Sequence, residues 1–170
     1  SDALDGLTAA GFYHARTLRD MLQALKYHGV RCVLPSVRIF FHEWKEQRLD
    51  PWPWVGVSAL AIQHLPAAVN RVRERGFDQA IMFTEIVCQE IVPWAVRVDL
   101  LVRSSSATTQ ASLVHGSLRD ANIRGAFSIH AGSILPSEIL LVDDVVTTGS
   151  TMREAARILR AAGAQKVYGI

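Results

Sequence analysis

Ile139-Leu140-Leu141-Val142-Asp143-Asp144-Val145-Val146-Thr147-Thr148-Gly149-Ser150-Thr151 decides the fold. Its four leading apolar residues read as a strand covered on both faces, the environment of a parallel sheet. Two carboxylates stand where that strand ends. A hydroxyl-rich turn with one glycine follows, and Met152 to Ala162 reads as a helix with Met152, Ala155, Ala156 and Leu159 on one face. Open α/β sheets bind ligands beyond the carboxyl ends of their strands, where this turn falls.

Thr147, Thr148, Gly149, Ser150 and Thr151 set successive N–H groups and hydroxyls around the open start of the helix, an arrangement suited to a phosphate. The helix dipole contributes about 0.3–1 kcal/mol. Each hydrogen bond to a charged group contributes about 1.5–3 kcal/mol, so the donors dominate and the dipole assists. Asp143 and Asp144 repel that phosphate. They suit a sugar diol, or water around Mg²⁺, beside it. A phosphate cradle next to a diol-binding acid pair describes a ribose 5-phosphate site.

The thirteen residues resemble the phosphoribosyl-pyrophosphate (PRPP) motif of type I phosphoribosyltransferases: a hydrophobic strand, two acids, two hydrophobics and a T-T-G-S-T-like loop. Arg75-Gly76-Phe77-Asp78-Gln79 is similar to the R-G-F-N-Q stretch of the ComF (competence protein F) family. The spacing of Arg103, Gln110, Leu113, Arg119, Asn122 and Gly125-Ala126-Phe127 resembles that family too, as does Ala24-Leu25-Lys26-Tyr27. The resemblance spans about residues 16–170. It departs in four places. The Cys-rich zinc-binding segment with which members often begin is missing, and Asp78 replaces the usual Asn. His64-Leu65-Pro66 replaces a P-V-P-like stretch, and one extra residue lies between Leu113 and Arg119.

The resemblance implies an α/β fold, a Rossmann-like parallel sheet flanked by helices with a small N-terminal helical or hood region. Residues 1–50 would be that helical segment and 51–170 the phosphoribosyltransferase core. It implies PRPP as donor, Mg²⁺ as cofactor held mainly through ligand and water, and an unidentified nitrogenous acceptor. Thr147–Thr151 would hold the 5-phosphate, and Asp143 and Asp144 the ribose. His64, Leu65 and Pro66 would meet the pyrophosphate, with Arg71, Arg73 and Arg75 neutralising it as it leaves. Several purine-salvage relatives carry an acid at the position of Thr147. A threonine cannot serve there as a general base at neutral pH, which disfavours guanine or hypoxanthine. The family resemblance also implies a link to DNA uptake, so a non-catalytic PRPP- or nucleotide-binding module is the alternative. Nucleic acid is a weaker candidate partner and a homo-oligomer an open one.

Composition agrees with a single domain. The 170 residues are 49% hydrophobic and 20% charged, with a net charge of +2. That charge is too small to argue for nucleic acid. No run approaches the roughly 20 apolar residues of a membrane helix, and the N-terminus lacks the order of a signal peptide. Cys32 and Cys88 have no partner spacing and read as buried free thiols, which points to the cytoplasm. The sequence ends inside a strand, which suggests truncation.

Elsewhere the pattern predicts a helix from His14 to His28 ended by Gly29. A second begins near Pro35, with Val37, Phe40, Phe41 and Trp44 on one face. Asp50-Pro51-Trp52-Pro53-Trp54 is a rigid turn whose tryptophans either stack on a base or pack beneath it. Val55–Ile62 and Val96–Val102 read as strands. Arginines at alternate positions from Arg71 to Arg75 fit a basic loop better than an amphipathic helix. Asp78 caps a helix running to Ile91. Residues 104–122 form a long polar segment, Ala126–His130 a strand, and Lys166–Ile170 a last strand.

Overall fold

A computed structural model describes residues 3–11, 16–28, 33–104 and 123–170. Its elements in chain order are β1 (Gly6–Leu7), α1 (Arg16–His28), α2 (Leu34–Gln47), β2 (Leu60–His64), α3 (Val69–Arg75), α4 (Gln79–Glu90), β3 (Val96–Arg97), β4 (Leu101–Arg103), β5 (Phe127–Ile129), β6 (Glu138–Val142), α5 (Ser150–Ala161) and β7 (Lys166–Gly169). Five strands form one parallel sheet in the order β1-β7-β6-β2-β3, and β4 and β5 form a separate antiparallel pair.

The sheet is covered on both faces, which explains the unbroken apolar run of β6. Leu140 and Val142 face a cluster built with α1, α2 and α4, while Ile139 and Leu141 face one built with α5. Alternate residues of a strand point to opposite faces, so a two-sided strand needs every position apolar. Each such side chain contributes about 1.5–3 kcal/mol of burial. Leu22 and Leu25 of α1 and Val37 and Phe41 of α2 share their cluster with Leu60, Ile62 and Leu140 of the sheet. No helix among the described residues is long and apolar enough to cross a membrane.

Several expectations need correction. The segment expected as a basic loop, Arg71 to Arg75, lies in helix α3. Arginine is a good helix former, and Gly76 closes the helix in the left-handed region (φ 80°), donating its N–H to the Val72 carbonyl at 2.8 Å. A seven-residue, largely exposed helix needs no apolar stripe. The strand expected over Val55–Ile62 is shifted to Leu60–His64. The strand expected over Val96–Val102 is divided between two sheets. The buried Gln63 side chain causes that division, because its Oε1 accepts the Leu100 N–H at 2.7 Å and draws the chain out of the parallel sheet after Val98. Gly6–Leu7, in a stretch without periodic pattern, forms the edge strand β1 on β7. Cys88 is half-buried rather than buried, and that burial raises its thiol pKa. Trp54 is buried and stacks with Trp52 at 5.2 Å, which is the packing alternative. Cys32 and the polar segment 105–122, with Gln110, Leu113, Arg119 and Asn122, lie outside the described residues.

Candidate functional site

The strand order fixes where a ligand binds. From β2 the chain crosses to β3 on one side, through α3 and α4. From β6 it crosses to β7 on the other, through α5. Adjacent strands whose connections run in opposite directions leave a crevice between their carboxyl ends, the switch point of an open α/β sheet. Here β2 and β6 end level, His64 pairing with Val142, so Leu65–Ala68 and Asp143–Gly149 leave the sheet side by side. The Leu65 N–H, donated to the Val142 carbonyl at 2.8 Å, ties the two loops together.

Asp143 and Asp144 are both half-buried at the mouth of this crevice. The backbone N–H of Asp143 is donated to the Ile170 carbonyl at 3.1 Å, and Asp143 Oδ1 accepts the Asp144 N–H at 2.8 Å. Burial raises the Asp143 carboxyl from 3.8 to about 7, and the negative charge of Asp144 adds to the rise. The Asp144 N–H and the charge of Arg103 oppose it. A carboxyl held near neutrality in a crevice marks a functional site more often than scaffold. No cluster of three or more His, Cys, Asp or Glu able to cage a metal occurs among the described residues. Two adjacent carboxylates nevertheless fit Mg²⁺, which binds through one or two carboxylates together with water and substrate phosphate.

Beyond the acids the turn is already shaped. Gly149 is buried at φ 74°, in the left-handed region, and caps α5. Its carbonyl accepts the Arg153 N–H at 2.9 Å. The Thr148 and Ser150 hydroxyls lie 2.8 Å apart, and the Ser150 N–H points to Thr148 Oγ1 at 3.4 Å. The Arg153 guanidinium donates to the Thr148 carbonyl. A small hollow of about 30 Å³ is lined by Asp143, Thr147, Gly149, Ser150 and Thr151 among others. It holds N–H and hydroxyl donors at a helix start with an arginine alongside, the requirements of an anion site. The position of Arg153, four residues after the turn glycine, was the only sequence signal for its part here.

On the β2 side the predicted residues divide. His64 is half-buried at the strand end, but the Leu65 side chain is buried in the core and its N–H is committed to Val142. The Ala67 N–H is donated to Asp78 Oδ2 at 3.0 Å, while Asp78 Oδ1 accepts the Ala80 N–H at 2.9 Å and caps α4. Asp78 therefore clamps this loop as well as its own helix. Arg71, Arg73 and Arg75 follow on α3. Arg73 is exposed, without hydrogen bond or ion pair to another described residue, and the side chains of Arg71 and Arg75 lie outside the description. Among the described residues, Arg103, not one of the predicted site residues, is a cation that reaches the crevice. Its Nη1 donates to the Pro66 carbonyl at 3.3 Å, its guanidinium lies 5.4 Å from the Phe127 ring centroid, and its charge acts on Asp143.

A second, larger cleft of about 100 Å³ opens on the other side of the acids. Thr8 to Gly11, α1, α2 and α4 supply its walls, and Val142 to Val146 and Ile170 supply its floor.

The Phosphoribosyl transferase domain family matches residues 78–168, just over half of the chain. The chain belongs to that family. Within it the named relatives point to the ComF branch of type I phosphoribosyltransferases. The DNA utilization protein YhgH of Salmonella typhimurium is 33% identical over 109 residues, covering 62% of this chain and 45% of that protein. Competence protein ComFC of Streptococcus pneumoniae is 31% identical over 107 residues, 61% of this chain and 43% of that protein. Competence protein F of Haemophilus influenzae is 29% identical over 111 residues, 63% and 47% respectively. The matches thus span less than half the length of these relatives. No solved structure matches the chain.

Proposed function

We propose that this chain binds PRPP with Mg²⁺ and transfers ribose 5-phosphate to a nitrogenous acceptor, releasing pyrophosphate. The observation that carries the reading is the joining, at one switch point, of the half-buried Asp143–Asp144 pair and the preshaped Thr147–Thr151 turn. The turn takes the 5-phosphate. The acids take the ribose hydroxyls and offset the positive charge that develops on the sugar ring as its bond to pyrophosphate lengthens. Such fixed charge acts most strongly where water is thinned out. Mg²⁺, when bound, supplies Lewis-acid stabilisation of the departing pyrophosphate. Among the described residues, Arg103, beside Pro66, and His64 offer polar side chains on the pyrophosphate side.

The test is calorimetric titration with PRPP and Mg²⁺ of the wild type and of the double variant Asp143→Asn with Asp144→Asn. Loss of binding in a folded double variant supports the reading, and unchanged affinity removes it.

The relatives' names favour one other reading, a PRPP- or nucleotide-binding module associated with DNA uptake that does not turn over. Pyrophosphate release from PRPP across a panel of bases and amines separates the two. Binding without release selects the module, and a steep salt dependence of DNA affinity would add nucleic acid as a partner.

A further inference from the structure

We infer that the acceptor is a flat, largely apolar aromatic azole or amine, seated in the cleft on the far side of the acid pair; the inference rests on the phosphoribosyl-transfer reading. Leu18, Leu22, Phe40, Phe41 and Phe83 form its walls. Phe41 stands edge-on to Phe40 at 6.0 Å and is tilted against Phe83 at 6.2 Å, so this wall is one aromatic cluster. Among the described residues the polar side chains at the cleft are Thr8, Asp143 and Asp144. The Thr8 hydroxyl already accepts from Arg48 Nη1 at 2.7 Å. The acids lie on the floor, where PRPP would present its ribose.

That distribution sets the guest's chemistry. One N–H directed at the acidic floor is complemented by charge, whereas a carbonyl or amide directed at the phenylalanine walls loses its water and finds no partner. Each such unpaired group weakens binding roughly tenfold to a hundredfold. A volume of about 100 Å³ limits the guest to a small ring system. In the transfer, the ring nitrogen bonds to C1 of the ribose as the C1–O bond to pyrophosphate breaks. Pyrophosphate departs with that electron pair, and the N–H proton passes to water.

The experiment titrates the folded chain with PRPP and Mg²⁺, and separately with benzimidazole and with hypoxanthine, which has a similar bicyclic outline but carries a lactam. The variant Leu18→Gln, at a partly exposed wall position, repeats the benzimidazole titration. The inference expects benzimidazole to bind at least tenfold more tightly than hypoxanthine, to lose at least fivefold in Leu18→Gln, and to yield a ribotide by mass spectrometry when PRPP is present. Hypoxanthine binding as tightly as benzimidazole, or benzimidazole affinity unmoved by Leu18→Gln, overturns it while PRPP binding leaves the donor reading standing. Absence of PRPP binding removes the donor reading, and benzimidazole bound without PRPP then marks an apolar pocket and no acceptor site.

Discussion

Replacing Asp143 with Asn should make the protein more stable while removing its ligand, and the two effects have one origin. Burial and the charge of Asp144 hold the Asp143 carboxyl at about 7 in the folded chain, against 3.8 when it is free. The folded state therefore binds a proton that the unfolded chain has already released, and stability falls as pH rises between those two values. The full difference corresponds to about 4 kcal/mol. Asp143 keeps part of its surface in water, so about 2 kcal/mol is the better working figure. The asparagine side chain carries no charge, and its carbonyl can still accept the Asp144 N–H now held at 2.8 Å. Urea unfolding of both proteins at about pH 5 and pH 8 measures this directly. Because pH 5 already lies inside that window, the variant should gain about 1 kcal/mol on the wild type at the higher pH relative to the lower. Parallel pH profiles would show that Asp143 ionises as readily as a surface carboxylate, and the case for a charge-strained site would fail with it.

Three further substitutions test the parts around that acid. Gly149→Ala places a Cβ at φ 74° and 3.0 Å from Arg153 Nη1, and should cost about 1–2 kcal/mol in thermal unfolding while weakening phosphate binding. Asp78→Asn keeps one acceptor for the Ala80 N–H but sets an NH₂ group against the Ala67 N–H. A loss of about 1 kcal/mol in urea is expected, although Asn is the residue the ComF pattern leads one to expect. Glu154, buried in the second turn of α5, accepts from Arg157 and from the Gly125 N–H at 2.8 Å, and the Arg157 hydrogen bond is the main cause of its lowered pKa. Its contribution is present above the ordinary carboxylate range and lost as pH falls below it, so Glu154→Ala should cost about 1–3 kcal/mol at pH 7 and progressively less toward pH 3, read by urea midpoints.

What could be read from sequence was whatever local chemistry determines. β6, the acid pair, the turn and the apolar face of α5 are consecutive, and each signal there agrees with its neighbours. Asp78 announced α4, and Pro35 the start of α2. The failures have long-range causes. β1 is two residues held by docking on β7, and carries no pattern of its own. The split of Val96–Val102 depends on Gln63, thirty-seven residues earlier, reaching the Leu100 N–H. α3 was obscured because a short exposed helix lacks the periodicity used to find helices. Asp143 and Asp144 are chemically alike as letters. Only the burial of Asp143 in the folded crevice, with the charge of Asp144 beside it, raises its carboxyl to about 7.

The two halves of the site draw on different parts of the chain. The acids, the hydroxyl turn and the Arg103 side chain all fall within residues 78–168, the span the family shares. On the proposed reading the donor requires those groups in one geometry, because its sugar, phosphate and pyrophosphate do not vary. The cleft beside them draws Thr8, Leu18, Leu22, Phe40 and Phe41 from before that span, on elements that reach the sheet only by packing. Changing those side chains reshapes the pocket without disturbing the donor geometry, since apolar walls are joined to the sheet by contact area and not by directional bonds. An acceptor preference can therefore diverge within this fold while the phosphate turn stays fixed. In this chain the pocket is one of phenylalanines and leucines above a carboxylate floor.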